Sequence, residues 1–184
     1  MVQPTPSYVS YEDFLEAELR SSTKHEWLDG VVYDMAGGSL EHSRLAMNVT
    51  AALKIAFPKC TVFQSDAMIL VRATGLSTYA DGVVVCGEID KQKVERNRRV
   101  IGEALVNPTV IVEVLSDSTE AYDRGEKFAH YMRIPSLREY VLVSQDTRRI
   151  EVFRRPKHGR WDLDAVTAGD IRILDSKIRV DDVY

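Results

Sequence analysis

Apolar and polar positions alternate or recur along this chain in a way that predicts interleaved helices and strands. Ser10-Tyr11-Glu12-Asp13 resembles a capping box and predicts a short helix to about Arg20. Glu26-Trp27-Leu28-Asp29-Gly30-Val31-Val32-Tyr33 predicts a hairpin, with Asp-Gly supplying the positive φ angles of a tight turn. From Ser39 to Phe57, Leu45, Val49, Leu53 and Ala56 fall at helical spacing, and Pro58 stops the run. Strands follow at about Thr61–Ser65 and Met68–Arg72, then a loop, then the run Asp81-Gly82-Val83-Val84-Val85-Cys86. Residues 87–103 are charge-rich and predict a loop or a short exposed helix. Asn107-Pro108 introduces the strand Val110–Leu115. Ser118 or Thr119 caps a helix running to about Met132, and Arg138–Ser144 is a further strand. Ile150–Arg154 and Arg160–Val166 predict a closing hairpin. The expected class is α/β, with a mixed central sheet flanked by helices. No repeat, low-complexity stretch or linker appears, so one domain over residues 1–184 is expected, with an extended arm over about residues 1–10.

Glu113 breaks that pattern. A carboxylate inside a Val/Ile strand is costly to bury unless it is paired or binds a metal. Alternation places Ile111, Glu113 and Leu115 on one strand face and Val110, Val112 and Val114 on the other. Asp81 opens its own strand. In an antiparallel neighbour a strand start lies beside a strand end, so Asp81 and Glu113 could meet. Two carboxylates held together call for a proton or a divalent cation between them, and oxygen-only ligation suits Mg²⁺ or Mn²⁺. Asp123, Lys127 and Tyr131 follow at i, i+4, i+8 and would line one helix face. A helix packed back over the sheet would carry Lys127 to the acidic pair.

Each position also has a structural reading. Glu113 could be neutralised by a buried Arg or Lys, and Asp81 could cap a turn. Asp123 and Lys127 are in the favoured order for a surface ion pair. Glu26 could pair with Lys24 or Arg20, His42 could cap or pack at a helix start, and Tyr131 could be core.

At these residues the chain resembles the Uma-two family, which is grouped with the restriction-endonuclease-like nucleases. Asp81, then Glu113-Val114-Leu115-Ser116, then Asp123, Lys127 and Tyr131, then Glu139-Tyr140-Val141-Leu142-Val143 carry the resemblance. Glu26-Trp27-Leu28-Asp29-Gly30 and His42 extend it to the N-terminal half. The resemblance implies a restriction-endonuclease-like fold and a metal-dependent phosphodiesterase. Asp81 and Glu113 would be the metal ligands and Glu26 an accessory acid. The usual site of such nucleases is Pro-Asp, then an acidic residue, any residue, and Lys. Here Ala80 precedes Asp81, and Leu115 stands where the lysine would be. Lys127 is then the substitute, displaced to the next helix.

Composition narrows the function classes. The 184 residues are 45% hydrophobic and 28% charged, ordinary for a globular chain. A net charge of −4 gives no global attraction to a polyanion, so DNA binding would need a local patch. Arg148, Arg149, Arg154, Arg155, Lys157 and Arg160 form the densest basic stretch, opposed by Glu151, with the 91–99 segment second. No Gly-x-Ser-x-Gly elbow or phosphate-binding Gly-x-x-x-x-Gly-Lys-Ser/Thr loop is present. Cys60 and Cys86 are expected as separate buried thiols in a reducing cytoplasm, and no membrane segment is expected. The leading expectation is a Mg²⁺-dependent endonuclease acting on DNA as a cytoplasmic homodimer. The alternatives are a non-catalytic binding protein on the same fold, and a metal-dependent RNA nuclease.

Overall fold

The computed structural model describes residues 8–35 and 37–184. Most of the arm expected over residues 1–10 lies outside them. Ser10 caps helix α1 (Tyr11–Glu18), its hydroxyl accepting from the Asp13 N–H, as the capping pattern implies. Strands β1 (His25–Leu28) and β2 (Val31–Asp34) form the expected hairpin, with Asp29 and Gly30 at φ 49° and 86°. Ser39 caps α2 (Leu40–Ala56), which turns Leu45, Val49 and Leu53 inward. β3 (Thr61–Gln64), β4 (Met68–Val71), β5 (Leu76–Tyr79) and β6 (Gly82–Val85) follow, then β7 (Lys91–Arg96), β8 (Arg99–Leu105) and β9 (Val110–Leu115).

The next helix is not uniform. It starts as α3 (Glu120–Tyr122), widens into a π-helical turn at Asp123–Lys127, and resumes as α4 (Phe128–Tyr131). Single π turns act as one-residue insertions in an α-helix and occur often at functional sites. The chain ends with β10 (Glu139–Ser144), β11 (Ile150–Arg154), β12 (Asp162–Val166), β13 (Asp170–Ile173), β14 (Ser176–Arg179) and a 3₁₀ turn.

Two six-stranded mixed sheets result, ordered β2-β1-β5-β4-β8-β7 and β12-β11-β10-β9-β6-β3, with β13-β14 as a separate pair. The α/β class with mixed sheets is as expected. The first of these sheets draws on segments that the sequence pattern hides. β5 lies in the stretch expected as a loop, because only four residues separate its Gly75 turn from Ala80. β7 and β8 occupy most of the charged 87–103 stretch. They form a hairpin whose turn, Asn97-Arg98, has φ 53° and 62°. Its outward charges mask the alternation.

In the other sheet, β9 is buried throughout. Val110, Val112 and Val114 face α2 in one core, while Ile111 and Leu115 face Phe128, Tyr131 and Tyr140 in the other. Glu113 therefore points toward the helix that carries Lys127. Gly82 is needed where α2 crosses β6, since a Cβ there would come within 2.8 Å of Thr50 Cγ2.

The cysteines correct the expectation of separate buried thiols. Cys60 and Cys86 are bonded to each other, and Cys86 is exposed. They directly precede β3 and follow β6, whose antiparallel register pairs Thr61 with Val85 and continues to this pair. Adjacency across a sheet is invisible in a separation of 26 residues. Among the described residues no helix is long and apolar enough to cross a membrane.

Candidate active site

Strand register brings the two leading acids together. β6 and β9 run antiparallel, with Gly82 opposite Val112, so Asp81 and Glu113 occupy the next step outward. The Asp81 Oδ2 accepts a hydrogen bond from the Val114 N–H at 2.7 Å and lies 3.3 Å from His42 Nε2. His42 stands in the first turn of α2, and its interaction with Asp81 raises the imidazole pKa above the usual range.

Glu113 and Lys127 form the centre. The Lys127 Nζ is 3.0 Å from Glu113 Oε1, 3.4 Å from Glu26 Oε1 and 3.6 Å from Asp123 Oδ1. It also donates to the Tyr79 carbonyl at 3.1 Å. Lys127 is 3% exposed, Glu113 and Asp123 4%, and Glu26 6%, so the Asp123–Lys127 pair is no surface ion pair. Tyr131 donates its hydroxyl to Glu113 Oε1 at 3.0 Å. Glu26 is held on both oxygens, by the Thr78 hydroxyl and by the Tyr122 hydroxyl at 2.8 Å. The π turn sets the phase of this cluster. It carries Asp123 and Lys127 at its two ends, with Tyr122 just before it and Tyr131 one turn after it, and all four address the same cluster.

Charge in this cluster does not balance. Asp81, Glu113, Glu26 and Asp123 are four carboxylates; the Lys127 ammonium meets the last three, and the His42 imidazole meets Asp81. Burial, reinforced by Asp123 and Asp81, holds the Glu113 carboxyl well above the ordinary carboxylate range despite Lys127. Burial likewise raises Asp123. The surrounding carboxylates keep Lys127 protonated against its own desolvation. Counting the His42 imidazole beside Asp81, the acids outnumber the basic groups four to two. The cluster opens into a cleft of about 620 Å³ whose walls include His42, Ser43, Thr50, Ser116 and Thr119.

Seven residues that the sequence singles out for the chemistry or its surroundings converge here: Asp81, Glu113, Lys127, Glu26, Asp123, Tyr131 and His42. Thr78, Tyr122 and the Tyr79 carbonyl also belong to the cluster and were not anticipated. Thr78 and Tyr79 lie on the unrecognised β5, where a Thr and Tyr after Gly75 were the available signal.

The basic stretch is divided. Arg148 pairs with Asp181, Arg149 with Glu151 at 2.5 Å, and Arg154 with Glu139 and Asp164, each at 3.1 Å. Arg155 donates to the carbonyls of Met132 and Ile134 at 2.7 and 2.9 Å. Lys157 and Arg160 are exposed and make no ion pair among the described residues.

Known proteins place this chain in a family. Residues 11–179 match the model of the Uma2 family, described as "Putative restriction endonuclease". The chain belongs to the Uma2 family. Two Synechocystis sp. (strain ATCC 27184 / PCC 6803 / Kazusa) proteins are similar to this Uma2 chain. "Uncharacterized protein slr1290" is 34% identical over 155 residues, covering 83% of this chain and 77% of the relative. "Uncharacterized protein sll1609" is 30% identical over 163 residues, covering 88% and 89%. A crystal structure described as a "putative nuclease belonging to DUF820" from Anabaena variabilis ATCC 29413 superposes with a TM-score of 0.67. It is 14% identical and covers 92% of this chain and 96% of that one. At that identity the likeness establishes the fold, which this Uma2 protein shares.

The donor set fits a divalent cation. Among the described residues no three or more His, Cys, Asp or Glu side chains form a ready-made cage. Asp81 Oδ1 and Glu113 Oε2 accept no hydrogen bond there, which leaves two hard oxygen donors beside a deficit of positive charge. Mg²⁺ is commonly held by one or two carboxylates, with waters and substrate phosphate completing its shell.

Proposed function

We propose that this chain is a divalent-metal-dependent endonuclease that hydrolyses phosphodiester bonds of DNA, folded as one restriction-endonuclease-like domain. The observation that carries the reading is the cluster of three carboxylates around Lys127, with Asp81 beside Glu113 at the junction of β6 and β9. Asp81 and Glu113 would hold Mg²⁺ or Mn²⁺. Such an ion, when bound, stabilises charge developing on the phosphoryl group and makes hydroxide available near neutral pH.

The protein's own groups do the positioning. The Val114 N–H and His42 fix one Asp81 oxygen and leave the other free for a ligand. Tyr131 and Lys127 do the same for Glu113. Lys127, anchored by the Tyr79 carbonyl and by Glu26, keeps a positive charge where an attacking water and a phosphate would approach. Glu26, clamped by Thr78 and Tyr122, sets the position of that ammonium. This supports reading Lys127 as the replacement for the lysine missing at Leu115. Cutting both strands of a two-fold symmetric site would take two copies of the chain.

The test is incubation of supercoiled plasmid with purified protein and Mg²⁺ or Mn²⁺, using wild type, Glu113→Gln and Lys127→Met, with EDTA as control. Metal-dependent nicking that is lost in both variants is expected. No cleavage by wild type on DNA or RNA, with DNA affinity unaltered in both variants, would instead favour a non-catalytic binding protein on this fold.

A further inference from the structure

Away from the cleft, where β10 begins and β11 ends, basic side chains gather without acidic partners. Arg138 and Arg155 are cross-strand neighbours, the Arg155 N–H donating to the Arg138 carbonyl at 2.8 Å. The Arg155 guanidinium lies 4.9 Å from the Trp161 ring centre. Its Nη2 caps the carbonyls of Met132 and Ile134 on either side of Arg133, and its Nε is buried without a partner. Lys157 and Arg160 extend from the same β11–β12 connection and are exposed, as are Arg133 and Arg138. Among the described residues none of these five makes an ion pair, although Arg148, Arg149 and Arg154 nearby in sequence all do. Burial and the neighbouring Arg138 charge both lower the Arg155 pKa, as expected for a cation lacking a counter-ion.

In a chain of net charge −4 this concentration needs a reason. The helix-end carbonyls account for Arg155 alone. They leave four cations unexplained. Trp161, the one Phe, Trp or Tyr ring of the β11–β12 connection, already carries Arg155 on one face and meets Phe128 edge-on at 5.3 Å, so the connection offers no series of such rings on which successive unpaired bases would stack. The patch thus offers charge without a stacking surface, which suits the sugar–phosphate backbone of a duplex.

We propose that Arg133, Arg138, Arg155, Lys157 and Arg160 form a phosphate-binding platform for duplex DNA, separate from the cleft. Arg133 lies in the turn just after α4, the helical segment that continues from the turn carrying Asp123 and Lys127. The platform rests on the reading of the chain as a DNA enzyme, and supplies the local attraction its net charge withholds.

The test is binding of a fluorescent duplex of about 30 base pairs, by anisotropy, in EDTA and between about 50 and 200 mM KCl. Wild type is compared with Arg133→Ala/Arg138→Ala/Lys157→Ala, which spares the helix-capping Arg155. At the lowest salt we expect a Kd weaker by at least about tenfold. The salt slope should be smaller by about 2–3, near 0.9 for each phosphate no longer neutralised. An unchanged urea midpoint would show the variant to be folded. Unchanged affinity and slope in a folded variant overturn the proposal, as does absence of duplex binding by wild type. Equal dependence on these residues for heparin or polyphosphate, with no dependence for duplex, would also overturn it. If the triple variant misfolds, Arg138→Glu alone must weaken binding by at least about fivefold. Because EDTA removes catalysis from the assay, failure of the nuclease reading in the plasmid test leaves this result interpretable.

Discussion

Replacing Lys127 with Met keeps most of the aliphatic volume and removes the ammonium from three carboxylates at 3.0, 3.4 and 3.6 Å. Removing one partner of a buried ion pair costs about 3–5 kcal/mol, because the other is left uncompensated. Protonation offers an escape of similar size. Placing a proton at pH 7 on a carboxylate of ordinary pKa, about 4.3, costs about 3–4 kcal/mol. With the ammonium gone, the remaining acids must take up a proton beyond the one Glu113 already tends to hold, so the native variant binds one more than native wild type, while the unfolded chains titrate alike. Its stability must fall more steeply as pH rises, by about 1.4 kcal/mol per pH unit for one extra proton. The expected deficit is about 3–5 kcal/mol at pH 7, shrinking to roughly 1–2 kcal/mol at pH 5. Urea unfolding of both proteins at about pH 5, 6 and 7 measures it. A deficit below about 1 kcal/mol at pH 7, the scale of exposed pairs, or one that does not vary with pH, would show that Lys127 does not compensate buried charge.

Two further substitutions probe the supports of the site. Thr78→Val removes the hydroxyl that donates to Glu26, leaving a buried carboxylate one donor short. It should cost about 1–3 kcal/mol in urea unfolding, with Thr78→Ser restoring most of the loss. Cys60→Ser opens the Cys60–Cys86 bridge and should cost about 3.5 kcal/mol by the loop-entropy model. Thiol titration of oxidised wild type should find no free cysteine, and one free thiol in the variant.

The parts of the site set by short-range periodicity were legible in the sequence. A lone Glu113 in a Val/Ile strand and Asp81 at the start of another identify the acidic pair, given antiparallel neighbours. The burial of Lys127 was not legible, because Asp123 and Lys127 at i, i+4 read equally well as a solvated pair. It ends a π turn that no local propensity announces. Thr78 escaped notice because β5 is four residues long and directly precedes the Ala80-Asp81 segment. The basic stretch was only partly legible for the opposite reason. The acids that neutralise much of it, Asp181, Asp164 and Glu139, come from outside the stretch, while Arg133 and Arg138 join from another segment. Cys60 and Cys86 likewise meet only through the β3–β6 register.

Thermal unfolding with and without Mg²⁺ or Mn²⁺ asks directly whether the acidic cluster is short of a divalent cation. Burial raises the Glu113 pKa, so without metal wild-type stability should fall as pH climbs from the ordinary carboxylate range through that raised value. A cation relieves this. At about a hundred times its Kd it should add about 2.7 kcal/mol, or roughly 5–10 °C in a chain of this size. Glu113→Gln should abolish the increment. No rise in wild type, or the same rise in both proteins, would contradict the assignment of Glu113 as a metal ligand.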